Sequence, residues 1–125
     1  MKELTPAEEQ VMQILWKEGR AFVRELLTQF PDPKPAYNTV STIIRILEKK
    51  GFVDHEEFGK SYRYYPLISK EDYREERFSA LMKGYFNNSM QQVLSHFSRS
   101  KKMDIKEADE MIRLLEELKR KNEEK

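Results

Sequence analysis

The sequence has no cysteine, only four glycines among its 125 residues, and no apolar run close to the roughly 20 residues that span a membrane. The lack of cysteine excludes disulfides, thiol catalysis and thiolate metal sites. The scarcity of glycine excludes a glycine-rich phosphate-binding loop. The start of the chain has no apolar stretch suited to export, so we expect a cytoplasmic protein without membrane insertion.

Neither positive nor negative residues are in clear excess. Residues 1–68 carry 10 Lys+Arg against 10 Asp+Glu, and residues 69–125 carry 13 against 12. Bulk charge therefore does not indicate nucleic acid, and such a function must depend on where particular side chains lie. The chain is 38% hydrophobic and 36% charged, a balance that predicts small cores. Burial against a second chain is therefore expected.

The first half of the chain is patterned as three helices followed by a β-hairpin. A capping sequence at Thr5-Pro6-Ala7-Glu8 starts the first helix, and Gly19 ends it. Pro31 ends the second helix and Gly51 the third. The other predicted elements are helices over about residues 23–30 and 36–50, strands over 52–56 and 61–65, and a turn over 57–60. This order predicts a winged helix-turn-helix domain over residues 1–68, in a protein that is mainly α with a small β-hairpin.

The second half, residues 69–125, is patterned as three helices that form a homodimerisation domain. Helix caps are predicted at Ser69, Ser89 and Asp104, and a polar linker at residues 98–102. One small lobe cannot enclose the apolar residues of these helices, whereas a twofold interface can. The predicted dimerisation residues are Phe78, Leu81, Met82, Tyr85, Phe86, Val93, Leu94, Phe97, Met111, Leu115 and Leu118.

The third helix has one polar face without acids. At 100° per residue, Val40, Ile43, Ile44 and Leu47 fall on one side, and the opposite side carries residue types that read base edges and bind phosphate. The hairpin adds two cations near the position where a wing follows the phosphate backbone, although Glu56 and Glu57 oppose that contact. The predicted DNA contacts are Asn38, Thr39, Ser41, Thr42, Arg45, Lys49, Lys60 and Arg63.

Several segments resemble the BlaI/MecI/CopY repressors. The run AYNTVSTIIRILEKKGFV at residues 36–53 resembles the recognition-helix segment of that family, and LTPAEEQVMQILW at 4–16 resembles its first helix. Residues 64–67 resemble the end of its wing, and 103–118 its last helix. The resemblance implies a homodimeric repressor that binds an inverted repeat in double-stranded operator DNA. It also implies, for some members, a membrane sensor with a protease domain that triggers cleavage and release.

This chain departs from the family pattern at three points. Many relatives have arginine at the position of Ile46, whereas here the arginine is Arg45, which leaves the base preference open. The copper-responsive branch carries cysteines, which are absent here. The cleaved members break an Asn–Phe bond, and the matching candidate cleavage region has His96 and Phe97. Release by proteolysis around residues 95–102 and release by competition with another regulator both stay open.

An enzyme is not expected. His55 and His96 lie in different lobes, and neither is in a metal-ligand pattern, so we predict no catalytic residues, metal or cofactor. The competing interpretation is a winged-helix module that binds another protein. Bulk neutrality favours that module, and the acid-free face of the third helix opposes it. Salt dependence distinguishes the two, because phosphate contacts weaken steeply with ionic strength.

Overall fold

A computed structural model describes residues 3–100 and 103–123. The chain forms two compact units, Met1–Phe78 and Ser79–Lys125. The elements in chain order are α1 (Pro6–Glu18), β1 (Ala21–Phe22), α2 (Val23–Leu27), α3 (Tyr37–Lys49), β2 (Val53–Phe58), β3 (Ser61–Pro66), α4 (Lys70–Tyr85), α5 (Met90–Ser100) and α6 (Ile105–Glu123).

Helix α1 begins and ends where its sequence predicts. The Thr5 side chain accepts a hydrogen bond from the Glu8 amide (3.2 Å), and the Glu8 carboxylate accepts one from the Thr5 amide (2.8 Å). Pro6 occupies the first helical position. Gly19, at a φ of 84°, donates its N–H to the Leu15 carbonyl (2.8 Å) and ends the helix. A residue with a Cβ would be strained at that φ.

The core of the first unit lies between α1, α2, α3 and a small sheet. Helix α3 contributes Val40, Ile44 and Leu47 from a single face, which turns its opposite face away from the core. Each such side chain stabilises the fold by about 1.5–3 kcal/mol through burial. The fully buried side chains are Val11, Met12, Leu15, Leu26, Val40, Ile44, Leu47, Phe52 and Val53.

The sheet is antiparallel, with strand order β1-β3-β2. Strand β1, which the sequence analysis did not predict, pairs Ala21 with Tyr64 of β3. In the hairpin, Phe58 pairs with Ser61, so the turn is shorter than predicted and its central residues are Gly59 and Lys60. Gly59 has a φ of 61°, the left-handed conformation that tight hairpin turns require. The order of helices and strands confirms the predicted fold class.

Helix α2 ends at Leu27, three residues earlier than predicted. The Thr28 hydroxyl donates to the Glu25 carbonyl (2.7 Å), so this side chain uses a carbonyl at the helix end. Phe30 still packs in the core, and its carbonyl accepts a hydrogen bond from Lys34 Nζ (2.9 Å). A loop therefore leads from α2 to α3.

The first unit extends past the predicted boundary at residue 68 and includes the start of α4. Tyr73 is buried there, and its hydroxyl accepts a hydrogen bond from the Leu4 amide (3.3 Å). Its ring centroid lies 5.8 Å from that of Trp16 and 5.8 Å from that of Phe52. These contacts fix the first turns of α4 on the first unit.

In the second unit, the turn after α4 uses Asn87 and Asn88 at φ values of 50° and 58°. The Ser89 hydroxyl then caps α5 by accepting from the Gln92 amide (3.2 Å), and Asp104 caps α6 as predicted by accepting from the Glu107 amide (2.8 Å). These polar caps satisfy amides that the helices leave unpaired.

The predicted polar linker at residues 98–102 is wrong for its first three residues, which lie in α5. Arg99 Nε donates to the Ser95 carbonyl (3.4 Å), and the Ser100 hydroxyl donates to the Phe97 carbonyl (3.1 Å). These polar side chains therefore bond back to their own helix instead of ending it. Lys101 and Lys102 lie outside the described residues.

Candidate nucleic-acid interface

The outer face of α3 presents Asn38, Thr42, Arg45 and Lys49 to solvent. The first turn of the helix contains no acid. Among residues 3–100 and 103–123, no carboxylate forms a salt bridge with Arg45 or Lys49. The two cations are therefore available to a polyanion.

Arg45 is held in place by Ser41, one turn earlier on α3. Its Nη2 donates to Ser41 Oγ (3.1 Å), and its Nε donates to the Ser41 carbonyl (3.3 Å). Three of the five guanidinium N–H groups stay available for a base. In the next position, the Thr42 hydroxyl donates to the Asn38 carbonyl (2.9 Å). The side chains of the outer face are thus partly ordered before any ligand binds.

A groove of about 300 Å³ lies between α3, the start of α2 and the hairpin. It brings Arg45 of α3, Lys60 of the hairpin turn and Arg24 of α2 to one concave surface, and none of its lining residues is acidic. The groove is lined by Phe22, Val23, Arg24, Tyr37, Ser41, Arg45, Lys60, Ser61, Tyr62 and Tyr64. Three cations around a concave surface can hold phosphate groups.

The groove also includes Arg24, Tyr37 and Tyr62. From the sequence, Arg24 is a possible phosphate contact with a solvated position equally open, and Tyr62 could stack on bases. Arg24 stands in the first turn of α2, and Tyr37 is the first residue of α3 with 53% of its surface exposed. Tyr62 of β3 is exposed on the opposite wall. From the sequence, Tyr37 could have been singled out only as a tyrosine at the start of the third helix.

Two predicted contacts do not line this groove. Thr39 lines a different groove, together with Ala7 of α1 and Pro33 of the loop before α3. Arg63 does not line the groove, whereas Tyr62 and Tyr64, its neighbours along β3, do. The two tyrosines point to the other face of the sheet because side chains alternate along a strand. The Arg63 Nε is buried and has no hydrogen-bond partner among the described residues.

A histidine–carboxylate contact joins the end of α3 to β2. His55 Nδ1 lies 2.5 Å from Glu48 Oε2, and the His55 ring stacks on Tyr62 with centroids 4.2 Å apart. The hydrogen bond to Glu48 raises the pKa of His55, although desolvation acts against it. Asp54 is close enough that the three groups could share a cation, with ligand atoms within 4.8 Å of one another. The hydrogen bond and the ring stacking already account for the position of His55, and they join α3 to the hairpin.

The second unit exposes much of its apolar surface in the single chain. Helices α5 and α6 have no buried residue within the described range. Of the predicted dimerisation residues, Met82 is buried, and Phe86, Val93, Leu94 and Met111 are half-buried. The exposed ones are Phe78, Leu81, Tyr85, Phe97, Leu115 and Leu118. Ile105, Ile112 and Leu114, which are not among the predicted residues, are also exposed.

The candidate cleavage region lies within α5. His96 and Phe97 are both exposed, and the His96 ring contacts Phe86 and Phe97 with centroids 6.1 and 6.0 Å away. Among the described helices, none has the length and apolar character needed to cross a bilayer.

A family model described as penicillinase repressor matches residues 4–117. The chain belongs to the penicillinase repressor family. It is 24% identical to the penicillinase repressor of Bacillus licheniformis over 98% of this chain and 96% of that protein. It is also 24% identical to the methicillin resistance regulatory protein MecI of Staphylococcus aureus (strain N315), over 90% of this chain and 93% of MecI.

Part of the chain also matches a solved DNA-binding domain. The solution structure of the DNA-binding domain of the repressor BlaI aligns with a TM-score of 0.50 and 28% identity, over 58% of this chain and 94% of that domain. A MarR family protein from Bacillus stearothermophilus aligns with a TM-score of 0.51 and 18% identity over 96% of this chain and 76% of that protein, which shows the fold alone. This penicillinase repressor family member is a DNA-binding transcriptional repressor and not an enzyme. The repressor interpretation is confirmed over the protein-binding module.

Proposed function

We propose that this repressor binds an inverted-repeat operator as a homodimer, with α3 of each protomer in a major groove. The observation that carries the proposal is the acid-free outer face of α3, next to the groove in which Arg45, Lys60 and Arg24 meet. A helix in that position of a helix-turn-helix reads base edges, while its surroundings contact the backbone. A repressor that binds operator DNA must reach that DNA, so we also propose that it acts in the cytoplasm.

Different roles follow from the chemistry of the outer face. Asn38 and Arg45 are seven residues apart, about 10 Å along the helix, so both can reach base edges in one groove. Arginine suits guanine and asparagine suits adenine. We assign Ser41 to the orientation of Arg45, which it contacts through two hydrogen bonds. Thr42 lies beside them on the same exposed face.

The remaining cations suit the phosphate backbone. Lys49 is exposed near the end of α3, and Lys60 occupies the tip of the hairpin. Arg24 lines the same groove as Lys60 and is a further candidate for a phosphate contact. Thr39 and Arg63 do not line the groove. Thr39 is exposed on the side of α3 that also carries Ile46, seven residues later, so it can contact DNA beside the groove.

The apolar surface of the second unit supports self-association through residues 69–125. A monomer would leave Phe97, Leu115 and Leu118 in water, together with other large side chains of α4 to α6. Surface of this kind marks an interaction site, and a twofold axis buries the same patch on both protomers. Two linked half-sites then bind more tightly than one.

Proteolytic release remains a proposal in which a membrane sensor or protease acts on the second unit. Proteases bind extended segments, and residues 93–97 lie inside α5. Cleavage there therefore requires local unwinding of α5, which has no buried residue to resist it. A cut would separate α6 from the rest of the dimer interface.

The direct test is selection of binding sites from a random double-stranded DNA pool, followed by anisotropy titrations at several salt concentrations. We expect a palindromic consensus, and an affinity that falls by a factor of about 10³ or more between 50 and 200 mM salt for six or more phosphate contacts. A pool that yields no enriched sequence, or an affinity unaffected by salt, would overturn the proposal.

A further inference from the structure

Ile46 is a large apolar side chain at the edge of the outer face of α3, on the same side of the helix as Thr39. It is 40% exposed, whereas Val40, Ile44 and Leu47 of the same helix are fully buried. At 100° per residue it lies about 40° from Thr42 and about 100° from Arg45 around the helix. Thr42 therefore stands between Arg45 and Ile46, on the surface that faces DNA in the proposed function.

We infer that Ile46 reads the C5-methyl group of a thymine in each operator half-site. The inference depends on the proposed function, because it requires α3 to lie in the major groove. Ile46 can neither donate nor accept a hydrogen bond, so it cannot read the donor and acceptor pattern of a base pair. The thymine methyl is the one apolar group that base pairs present in that groove.

Other contacts of Ile46 in the major groove of the DNA would be unfavourable. Placed against guanine O6, cytosine N4 or a phosphate oxygen, it would displace water from a polar atom without replacing the hydrogen bond. Against a thymine methyl, two apolar groups are removed from water and no hydrogen bond is lost, which is favourable. The neighbouring Thr42 hydroxyl already donates to the Asn38 carbonyl (2.9 Å), so its proton is not offered to a polar atom beside Ile46.

The recognition helix would then read two kinds of chemistry on the two sides of Thr42. Arg45 reads a hydrogen-bonding edge, and Ile46 reads a methyl group. Since the two residues are adjacent in sequence, the thymine should lie within one or two base pairs of the pair that Arg45 contacts. This assigns specificity to a residue whose side chain has no polar group.

The test replaces each thymine of the selected operator, one position at a time and in both half-sites, with deoxyuridine. This change removes the methyl group and keeps every hydrogen-bonding group. We expect one thymine position at which affinity falls about fourfold per half-site, the value for a buried methyl group. The Ile46→Ala variant should bind the thymine and deoxyuridine operators equally, and Lys49→Ala should keep the wild-type discrimination.

Each outcome distinguishes this inference from the proposed function. If wild type binds the operator and no deoxyuridine position weakens it, the role of Ile46 is wrong and the proposed function stands. If Ile46→Ala still discriminates as strongly as wild type, another residue reads the methyl and the inference is also wrong. If wild type selects no operator, the proposed function itself fails. Circular dichroism melting checks that Ile46→Ala, a change at an exposed position, is folded.

Discussion

Lys50 Nζ lies 2.6 Å from Glu8 Oε1 and so joins the end of α3 to the first turn of α1. Glu8 is 4% exposed, and its carboxylate also accepts a hydrogen bond from the Thr5 amide (2.8 Å). Burial works against ionisation of the Glu8 carboxyl, but the hydrogen bonds from Lys50 and Thr5 outweigh it and lower its pKa. One carboxylate therefore caps α1 and anchors the recognition helix.

Replacing Glu8 should destabilise the first unit. Glu8→Gln leaves Lys50 half-buried without its counter-charge, so we expect the free energy of unfolding to fall by about 3 kcal/mol. Urea denaturation measures this, with the exposed neighbour Glu9→Gln as the control. Because the folded pKa of Glu8 is lowered, its contribution is present above about pH 4.5 and is lost as the pH falls through the folded value. Equal losses for the two variants, at every pH, would contradict the role of Glu8.

The contribution of the His55–Glu48 contact to stability should vary with pH in the opposite direction to that of Glu8. Since the hydrogen bond to Glu48 raises the folded pKa of His55, its contribution is complete below the unfolded pKa of about 6.5 and is lost as the pH rises through the folded value. The difference in unfolding free energy between wild type and His55→Gln should therefore shrink from pH 5.5 to pH 8.5. Its full size should be about 1 kcal/mol or less, because the pair is partly exposed. A difference that stays constant over this range would show that protonation of His55 is not coupled to folding.

The local elements of the fold could be predicted from the sequence because short-range chemistry decides them. The capping box at Thr5 and Glu8 and the hydroxyl cap at Ser89 each act within three residues. The outer face of α3 was also predictable, because its apolar residues recur at helical spacing and so mark the buried side of the helix. These signals need no knowledge of the rest of the chain.

The features that were missed depend on distant partners. Strand β1 has two residues, and it exists because Ala21 pairs with Tyr64 of β3. The buried face of α1 includes a charged residue, Glu8, because Lys50 compensates its charge from 42 residues away. The approach of Lys60 to the Arg45 groove follows in the same way from the folded hairpin, not from any local pattern.

The proposed dimer interface can be tested at Leu115, which is 52% exposed on α6. Leu115→Asp adds a charge to the apolar surface without removing a buried side chain, so the helices should form while the dimer dissociates. Multi-angle light scattering at micromolar concentration should report a dimer for wild type and a monomer for this variant. Operator affinity should fall at the same time, because one half-site alone binds weakly.

A matched change at the exposed neighbour Glu116→Gln should leave the dimer intact. A wild-type protein that is monomeric at micromolar concentration would contradict the assignment of residues 69–125 to dimerisation.

Proteolytic release predicts a specific fragment. In cells with full expression of the repressed gene, mass spectrometry of the repressor should find chains cut within or just after α5, around residues 95–102. Repressor from uninduced cells serves as the control and should be intact. Intact full-length protein under full derepression would exclude cleavage as the switch and favour competition with another regulator.

The cations that we assign to the phosphate backbone should contribute to binding whatever the base sequence of the DNA. Lys60→Ala removes one exposed cation at the hairpin tip, so it should weaken binding to operator and non-operator DNA by the same factor. The slope of log affinity against log salt should become shallower by about one for each half-site. Anisotropy titrations on both DNAs give this slope. A loss confined to operator DNA would mean that Lys60 reads bases.

The central claim, that the outer face of α3 reads operator bases, is tested most directly by the affinity of Arg45→Ala for every single-base-pair variant of the selected half-site. Wild type should discriminate at the base pair that Arg45 contacts, and Arg45→Ala should lose about 1–3 kcal/mol of binding and become indifferent at that pair alone. An Arg45→Ala protein that keeps both the wild-type affinity and the wild-type base preference would contradict the claim.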